Sequence, residues 1–132
     1  GLEPIAVSSA QQTIPDRVDV TTTFALEFPG GITATGKASI VENVNILRVN
    51  CAKGWYELSP MQSYNGVVGR RSDGVLLNQP IDNQQAKQMD DDALAIMNQT
   101  SVLVPGLEGL KDVRIVNAII KSAQTGQRVN IM

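Results

Sequence analysis

Between Val18 and Val41 the chain alternates so regularly that little besides an antiparallel hairpin can accommodate it. Val20, Thr22, Phe24, Leu26 and Phe28 fall on one side, and Asp19, Thr21, Thr23, Ala25 and Glu27 on the other. That is the period-two signature of a strand with one dry face. Pro29-Gly30-Gly31 interrupts the run with residues suited to a tight reversal, and the alternation resumes from Ile32 to Val41. A lone hairpin is marginal in water, so further strands have to join it. Pro4 to Ser9, Asn45 to Ala52 (with Ile46, Leu47, Val49 and Cys51) and Trp55 to Ser59 read as strands, and Val75 to Leu77 as a short one. Tyr64 to Asn83 is rich in glycine, asparagine and aspartate and reads as loops with short extended pieces.

The pattern then changes. Gln84 to Gln99 has no glycine or proline and spaces Met89, Ala93, Ile96 and Met97 as a helix would. Glu108 to Thr125 places Leu110, Val113, Val116 and Ile120 on one stripe and stops at Gly126. Strands followed by two helices predict an α+β domain: an open, mainly antiparallel sheet with both helices packed on one face. The other face, lined by Thr21, Thr23, Thr33, Thr35 and Lys37, is β-branched and low in charge, which suits solvent or a partner sheet. A length of 132 residues fits a single domain over 1–132.

Composition removes several classes of function. The 11 lysines and arginines are scattered, apart from Arg70-Arg71, and are outnumbered by 13 acidic residues, so nucleic acid is not an expected partner. No apolar run approaches the roughly 20 residues that a membrane-spanning helix needs, so no membrane partner is expected. The chain has no histidine, which eliminates histidine-dependent triads, Cys-His dyads and histidine-containing zinc sites. With Cys51 alone no internal disulfide can form; by alternation Cys51 falls on the apolar side of its strand, as a small buried hydrophobe. The opening Gly1-Leu2-Glu3-Pro4 reads as a processed boundary with something missing upstream.

Three short patterns invite functional readings. Gly31-Ile32-Thr33-Ala34-Thr35-Gly36-Lys37 has the glycine and lysine positions of a phosphate-binding loop, but Ala38 stands where a hydroxyl is needed and the surroundings alternate as a strand. Asp90-Asp91-Asp92 cannot converge on one cation, because successive helical side chains point about 100° apart; a solvated helix face accounts for them, and no metal site is expected. Asn98-Gln99-Thr100 matches a glycosylation sequon by chance. Trp55, Tyr56 and Tyr64 hold most of the aromatic content and could stack on a sugar ring. Trp55, in a strand, is expected to be largely buried, and Tyr64, in a loop, to reach a cleft as a substrate-binding residue. No G-x-G-x-x-G dinucleotide fingerprint occurs, and no catalytic or cofactor-binding residue is identified.

Several blocks resemble the C-terminal half of the glucose-fructose oxidoreductase, inositol dehydrogenase and rhizopine-catabolism (Gfo/Idh/MocA) family. They are Gly1 to Val7, Phe24 to Gly31, Lys53 to Pro60 with Tyr64 beyond, and above all Pro105 to Arg114, Ile119 to Ala123 and Thr125 to Asn130. The last group is similar to the closing helix and tail of the glucose-fructose oxidoreductase branch. The resemblance implies an oxidoreductase acting on a sugar or cyclitol, whose missing N-terminal Rossmann half binds NAD or NADP. It also implies that one sheet face supports the substrate cleft while the other packs on a partner subunit, giving a homodimer or homotetramer. The family's catalytic lysine and aspartate-histidine pair would lie outside this chain, so the fragment alone is expected to be inactive. The competing readings are a free-standing module that binds a small ligand and a purely structural assembly domain. The choice of sugar or polyol, of NAD or NADP, and of a cytoplasmic or exported location stays open.

Overall fold

The computed structural model describes residues 1–14, 18–64, 66–77 and 83–131. In chain order the elements are β1 (Ala6–Thr13), β2 (Asp19–Glu27), a 3-10 turn (Pro29–Gly31), β3 (Thr33–Ser39), β4 (Leu47–Cys51), β5 (Gly54–Leu58), β6 (Gly69–Arg71), α1 (Gln84–Met97), α2 (Gly106–Thr125) and β7 (Val129–Asn130). They form two compact units, Gly1–Val44 with Val104–Met132, and Asn45–Leu103. The class is α+β, with antiparallel strands and two helices. The strands divide into a four-stranded sheet, β3-β2-β1-β7, and a three-stranded sheet, β4-β5-β6.

In the first unit the β2–β3 hairpin runs in unbroken register from Thr21↔Ser39 to Glu27↔Thr33. Gly30 and Gly31 turn it with φ of 76° and 77°, a conformation strained for any residue with a Cβ. The Phe28 N–H donates to the Ile32 carbonyl at 2.9 Å and closes the reversal. Phe24 lies opposite Gly36, and its ring occupies the space where a Cβ on Gly36 would stand.

Helix α2 packs on β1. Val7, Ala118 and Ile119 are the buried centre, with Phe24, Leu26, Ile115, Val129 and Ile131 against them. The contact stripe is therefore Ile115, Ala118, Ile119 and Ser122, at i, i+3, i+4 and i+7. The expected stripe of Leu110, Val113, Val116 and Ile120 is instead exposed. Small side chains explain the difference: Ala118 and Ser122 let the helix approach β1 closely enough for polar bonding between them. Ser122, 1% exposed, accepts from the Ser9 N–H at 2.9 Å and donates to the Gln127 carbonyl at 2.6 Å. Ser9 Oγ returns a bond to the Ile119 carbonyl at 2.5 Å. Gly126, with φ 67°, ends the helix, and β7 then pairs with β1 through Val7↔Val129.

The opposite face carries a three-strand row, Glu27↔Ala6↔Asn130. Arg128 spans it, donating from Nε and Nη2 to the two Glu27 oxygens at 2.8 and 2.7 Å and from Nη1 to Asn130 Oδ1 at 2.7 Å. Hydrogen bonding from Arg128 holds the Glu27 carboxyl below its usual 4.5. A carboxyl lowered in the folded state stabilises above its unfolded value and loses that contribution as the pH falls through the folded value. Thermal melts should therefore show Glu27→Gln less stable than the parent at pH 7, by a small margin because the pair is solvent-screened. The gap should close in strong acid; an equal gap at both pH values would contradict it.

In the second unit β5 is central, paired with β4 from Leu47↔Leu58 to Cys51↔Gly54 and with β6 from Tyr56↔Arg71 to Leu58↔Gly69. Strand β6 lies within the stretch read as loops with short extended pieces, and the expected strand at Val75–Leu77 is reduced to one bridge, Arg70↔Leu76. Positions 65 and 78–82 of that stretch fall outside the described residues. Cys51 shares the face of Leu47 and Val49, as alternation requires, but is exposed rather than buried, since β4 is the sheet's edge. Helix α1 opens on Asn83, whose side chain accepts from the Ala86 N–H at 2.9 Å. Of its residues Ala95 is buried, while Met89, Ile96 and Met97 are exposed.

Candidate functional site

Tyr64 stands in the loop after β5 and is 79% exposed. It lines a cavity of about 470 Å³ with Asn45, Met61, Gln62, Ser63, Gln84 and Gln85, all in the second unit. The loop is clasped by Asn45. Its Nδ2 donates to the Gln62 carbonyl at 2.9 Å, and its Oδ1 accepts from the Gln62 N–H at 2.8 Å. The Met61 N–H adds a bond to the Asn45 carbonyl at 3.3 Å. From the other side Gln84, in the first turn of α1, donates from Nε2 to the Ser63 carbonyl at 3.0 Å. The loop that presents Tyr64 is thus fixed at both walls by side chains reaching across 17 and 21 residues of sequence.

The lining is neutral and amphipathic. Amides and a hydroxyl can both donate and accept, while the Tyr64 ring and the Met61 thioether offer apolar faces. Such a mixture suits a ligand with hydroxyls on one side and C–H bonds on the other, as in a sugar or polyol. It includes no carboxylate, amine or imidazole, so these residues can hold a ligand but bring no strong acid or base to it.

The three aromatic residues do not gather. Alternation along β5 sends Trp55 and Tyr56 to opposite faces: Tyr56 stands opposite Val49 and Arg71, and Trp55 opposite Asn50. Trp55 keeps only a minor part of its surface exposed, in keeping with a largely buried residue, and the guanidinium groups of Arg48 and Arg70 lie over its ring. The Asn45 clasp escaped sequence reasoning, since nothing in the local pattern marks asparagine 45 as the partner of glutamine 62.

The remaining patterns resolve into ordinary structure. Gly31 to Lys37 leads from the hairpin turn into β3, and no helix starts at Lys37. Asp91 pairs with Lys87 one turn earlier on α1 at 2.9 Å. Among the described residues no group of three histidine, cysteine, aspartate or glutamate side chains could hold a metal ion. A smaller cavity of about 210 Å³ in the first unit is lined by Glu3, Pro4, Lys111, Arg114, Ile115 and Ile131. There Glu108 and Glu3 push Lys111 up to about 12, so that its charge is already answered.

No family model matches the sequence. Among solved structures, the aldose-aldose oxidoreductase from Caulobacter crescentus, complexed with glycerol, is 32% identical with a TM-score of 0.88, covering 98% of this chain and 42% of that one. The myo-inositol 2-dehydrogenase from Lactobacillus plantarum is 17% identical with a TM-score of 0.72, over 99% of this chain and 43% of that one. The WlbA dehydrogenase from Bordetella pertussis, in complex with NADH and UDP-GlcNAcA, is 15% identical with a TM-score of 0.62, over 98% and 39%. The chain thus spans about two fifths of the length of the proteins it matches.

Proposed function

Because the chain belongs to the Gfo/Idh/MocA-type oxidoreductases, we propose that it is the C-terminal, substrate-cleft and oligomerisation domain of an NAD(P)-dependent enzyme acting on a sugar or cyclitol. The carrying observation is the similarity to the Caulobacter aldose-aldose oxidoreductase, which extends over 98% of this chain and leaves more than half of that protein without a counterpart. The exposed apolar residues support the same reading. Leu107, Leu110 and Val113 on α2, and Met89, Ile96 and Met97 on α1, are large side chains of a kind that a free-standing domain seldom leaves uncovered in such number.

A dinucleotide does not fit the helix starts present here. Its pyrophosphate needs a glycine-rich turn leading from a strand into a helix N-terminus. Asn83 occupies the start of α1 with its own side chain, and α2 follows Pro105 with Glu108, an anion, in its first turn. The nicotinamide cofactor proposed for the whole protein, NADH being present in the structure of the WlbA dehydrogenase, would on this reading be held by a Rossmann domain beyond these residues. Within this chain, Tyr64 is the proposed substrate contact: its ring would lie along the C–H face of a sugar at the rim of the Asn45-Gln84 cavity.

Nicotinamide reduction assayed over a panel of aldoses and cyclitols tests this reading. The longer protein should turn over at least one of them, and the 132-residue chain none. In the longer protein Tyr64→Ala should raise KM about 3- to 10-fold, the worth of one aromatic stacking contact, with a smaller change in kcat. Turnover by the chain alone would overturn the domain assignment, and an unchanged KM in the variant would overturn the role of Tyr64.

A further inference from the structure

We propose that the row Arg48, Glu57 and Arg70, with Trp55 beside it, is a binding site for a small oxyanion, a carboxylate or a phosphate. Strand pairing puts the three charged residues side by side across the second sheet, Arg48 on β4, Glu57 on β5 and Arg70 on β6. Glu57 is only 3% exposed. Its Oε1 accepts from Arg70 Nε at 2.8 Å and Nη2 at 2.5 Å, which already constitutes a charge-assisted pair. Arg48 is bound to Oε2 at 3.5 Å, the outer limit of a hydrogen bond. What holds Arg48 is the indole: its guanidinium carbon lies 4.1 Å from the centre of the Trp55 ring, and that of Arg70 lies 5.6 Å from the same centre.

Two guanidinium groups therefore converge on one carboxylate and one ring, and a positive charge is left over. Arg48 and Arg70 together carry one more positive charge than Glu57 balances, and an anion bound between them would relieve the repulsion that solvent screening leaves. A guanidinium lying against an aromatic ring keeps its edge donors free, and their fork matches two oxygens of a carboxylate or phosphate. Nε and Nη2 of Arg48 and Nη1 of Arg70 have no partner among the described residues. The side chains remain 44% and 61% exposed, so an anion can reach them from solvent. Glu57 acts as a positioning residue that fixes Arg70, and Trp55 does the same for Arg48. The inference stands independently of the oxidoreductase reading.

Trp55 is the chain's one tryptophan and reports on the site directly. The 132-residue chain would be titrated with inorganic phosphate and, separately, with acetate, at ionic strength held constant with potassium chloride. Trp55 emission and the ligand's own NMR signal would both be followed. Saturation is expected at about 1–10 mM for at least one anion, the affinity of a few screened charge-assisted bonds. Response to phosphate alone identifies a tetrahedral ligand, and response to acetate alone a planar one. Arg48→Gln should weaken binding at least about tenfold and Arg48→Lys less, as the point charge survives without the fork. Arg114→Gln, in the first unit, should change nothing. Since Arg48→Gln alters the surroundings of Trp55, the NMR signal decides that comparison, with circular dichroism as the check on folding. No saturation beyond the chloride control for either anion, or equal binding by a folded Arg48→Gln, would overturn the proposal.

Discussion

Replacing Ser122 with valine is expected to destabilise the first unit by about 3–5 kcal/mol, more than any other single change considered for this fold. The side chain is sealed between α2 and β1, where its hydroxyl accepts from Ser9 and donates to the Gln127 carbonyl. Valine removes the partner of two part-buried backbone groups, the Ser9 N–H and the Gln127 carbonyl, at about 1 kcal/mol each, and adds a branched carbon where the helix already lies close to the strand, at about 1–3 kcal/mol. Ser122→Ala removes the bonds without the added bulk and should cost about 2 kcal/mol. Urea unfolding of the three proteins measures the series. A cost below about 1 kcal/mol for valine would mean that the polar clasp does not set the helix-to-strand distance.

Light scattering on the parent chain and on a Thr23→Arg, Thr35→Glu double variant is expected to give a change of state, from an oligomer to a monomer. Helix α2 covers the Val7 and Phe24 side of the four-stranded sheet. The side presenting Ser8, Ala10, Thr23 and Thr35 is exposed, and over its centre it carries hydroxyls and methyls in place of long charged side chains. A low-charge centre with Lys37 and the Glu27-Arg128 pair toward the rim suits packing of one sheet on its copy at about 10 Å. Two-fold pairing is the simplest closed arrangement, with a homotetramer built by a second contact. Arginine and glutamate in the middle of that face should abolish it. A strictly monomeric parent at tens of micromolar, or an unaffected double variant, would show that this face is not the interface and that the sheet is covered in some other way.

What could be read in advance, and what could not, follows from the range of the interactions involved. The β2–β3 hairpin was legible because alternation and the Pro29-Gly30-Gly31 turn are local and agree with each other. The extents of both helices were legible for the same reason. Which face of α2 meets the sheet was not: hydropathy favours Leu110, Val113, Val116 and Ile120, whereas close approach to β1 selects Ala118 and Ser122. Strand β7, two residues long, exists because Val129 pairs with Val7, a contact more than a hundred residues distant that no local pattern encodes. Strand β6 is similarly short and owes its existence to β5. At the candidate site, the glycine- and asparagine-rich loop made Tyr64 legible as a free aromatic, but its walls are built by Asn45 and Gln84 from outside that loop. The charged row of Arg48, Glu57 and Arg70 likewise becomes visible only once the register of three strands is known.

The central claim is that these 132 residues are the C-terminal portion of a larger nicotinamide-dependent oxidoreductase, and reading the gene immediately upstream of the Gly1 codon tests it most directly. The account predicts a continuous frame longer than the chain itself, since the related proteins hold more than half of their length outside the matched region. Near its start that frame should encode a strand, a glycine-rich turn and a helix able to receive a pyrophosphate. A frame that begins at or just before Gly1, or one that continues upstream without such a unit, would contradict it.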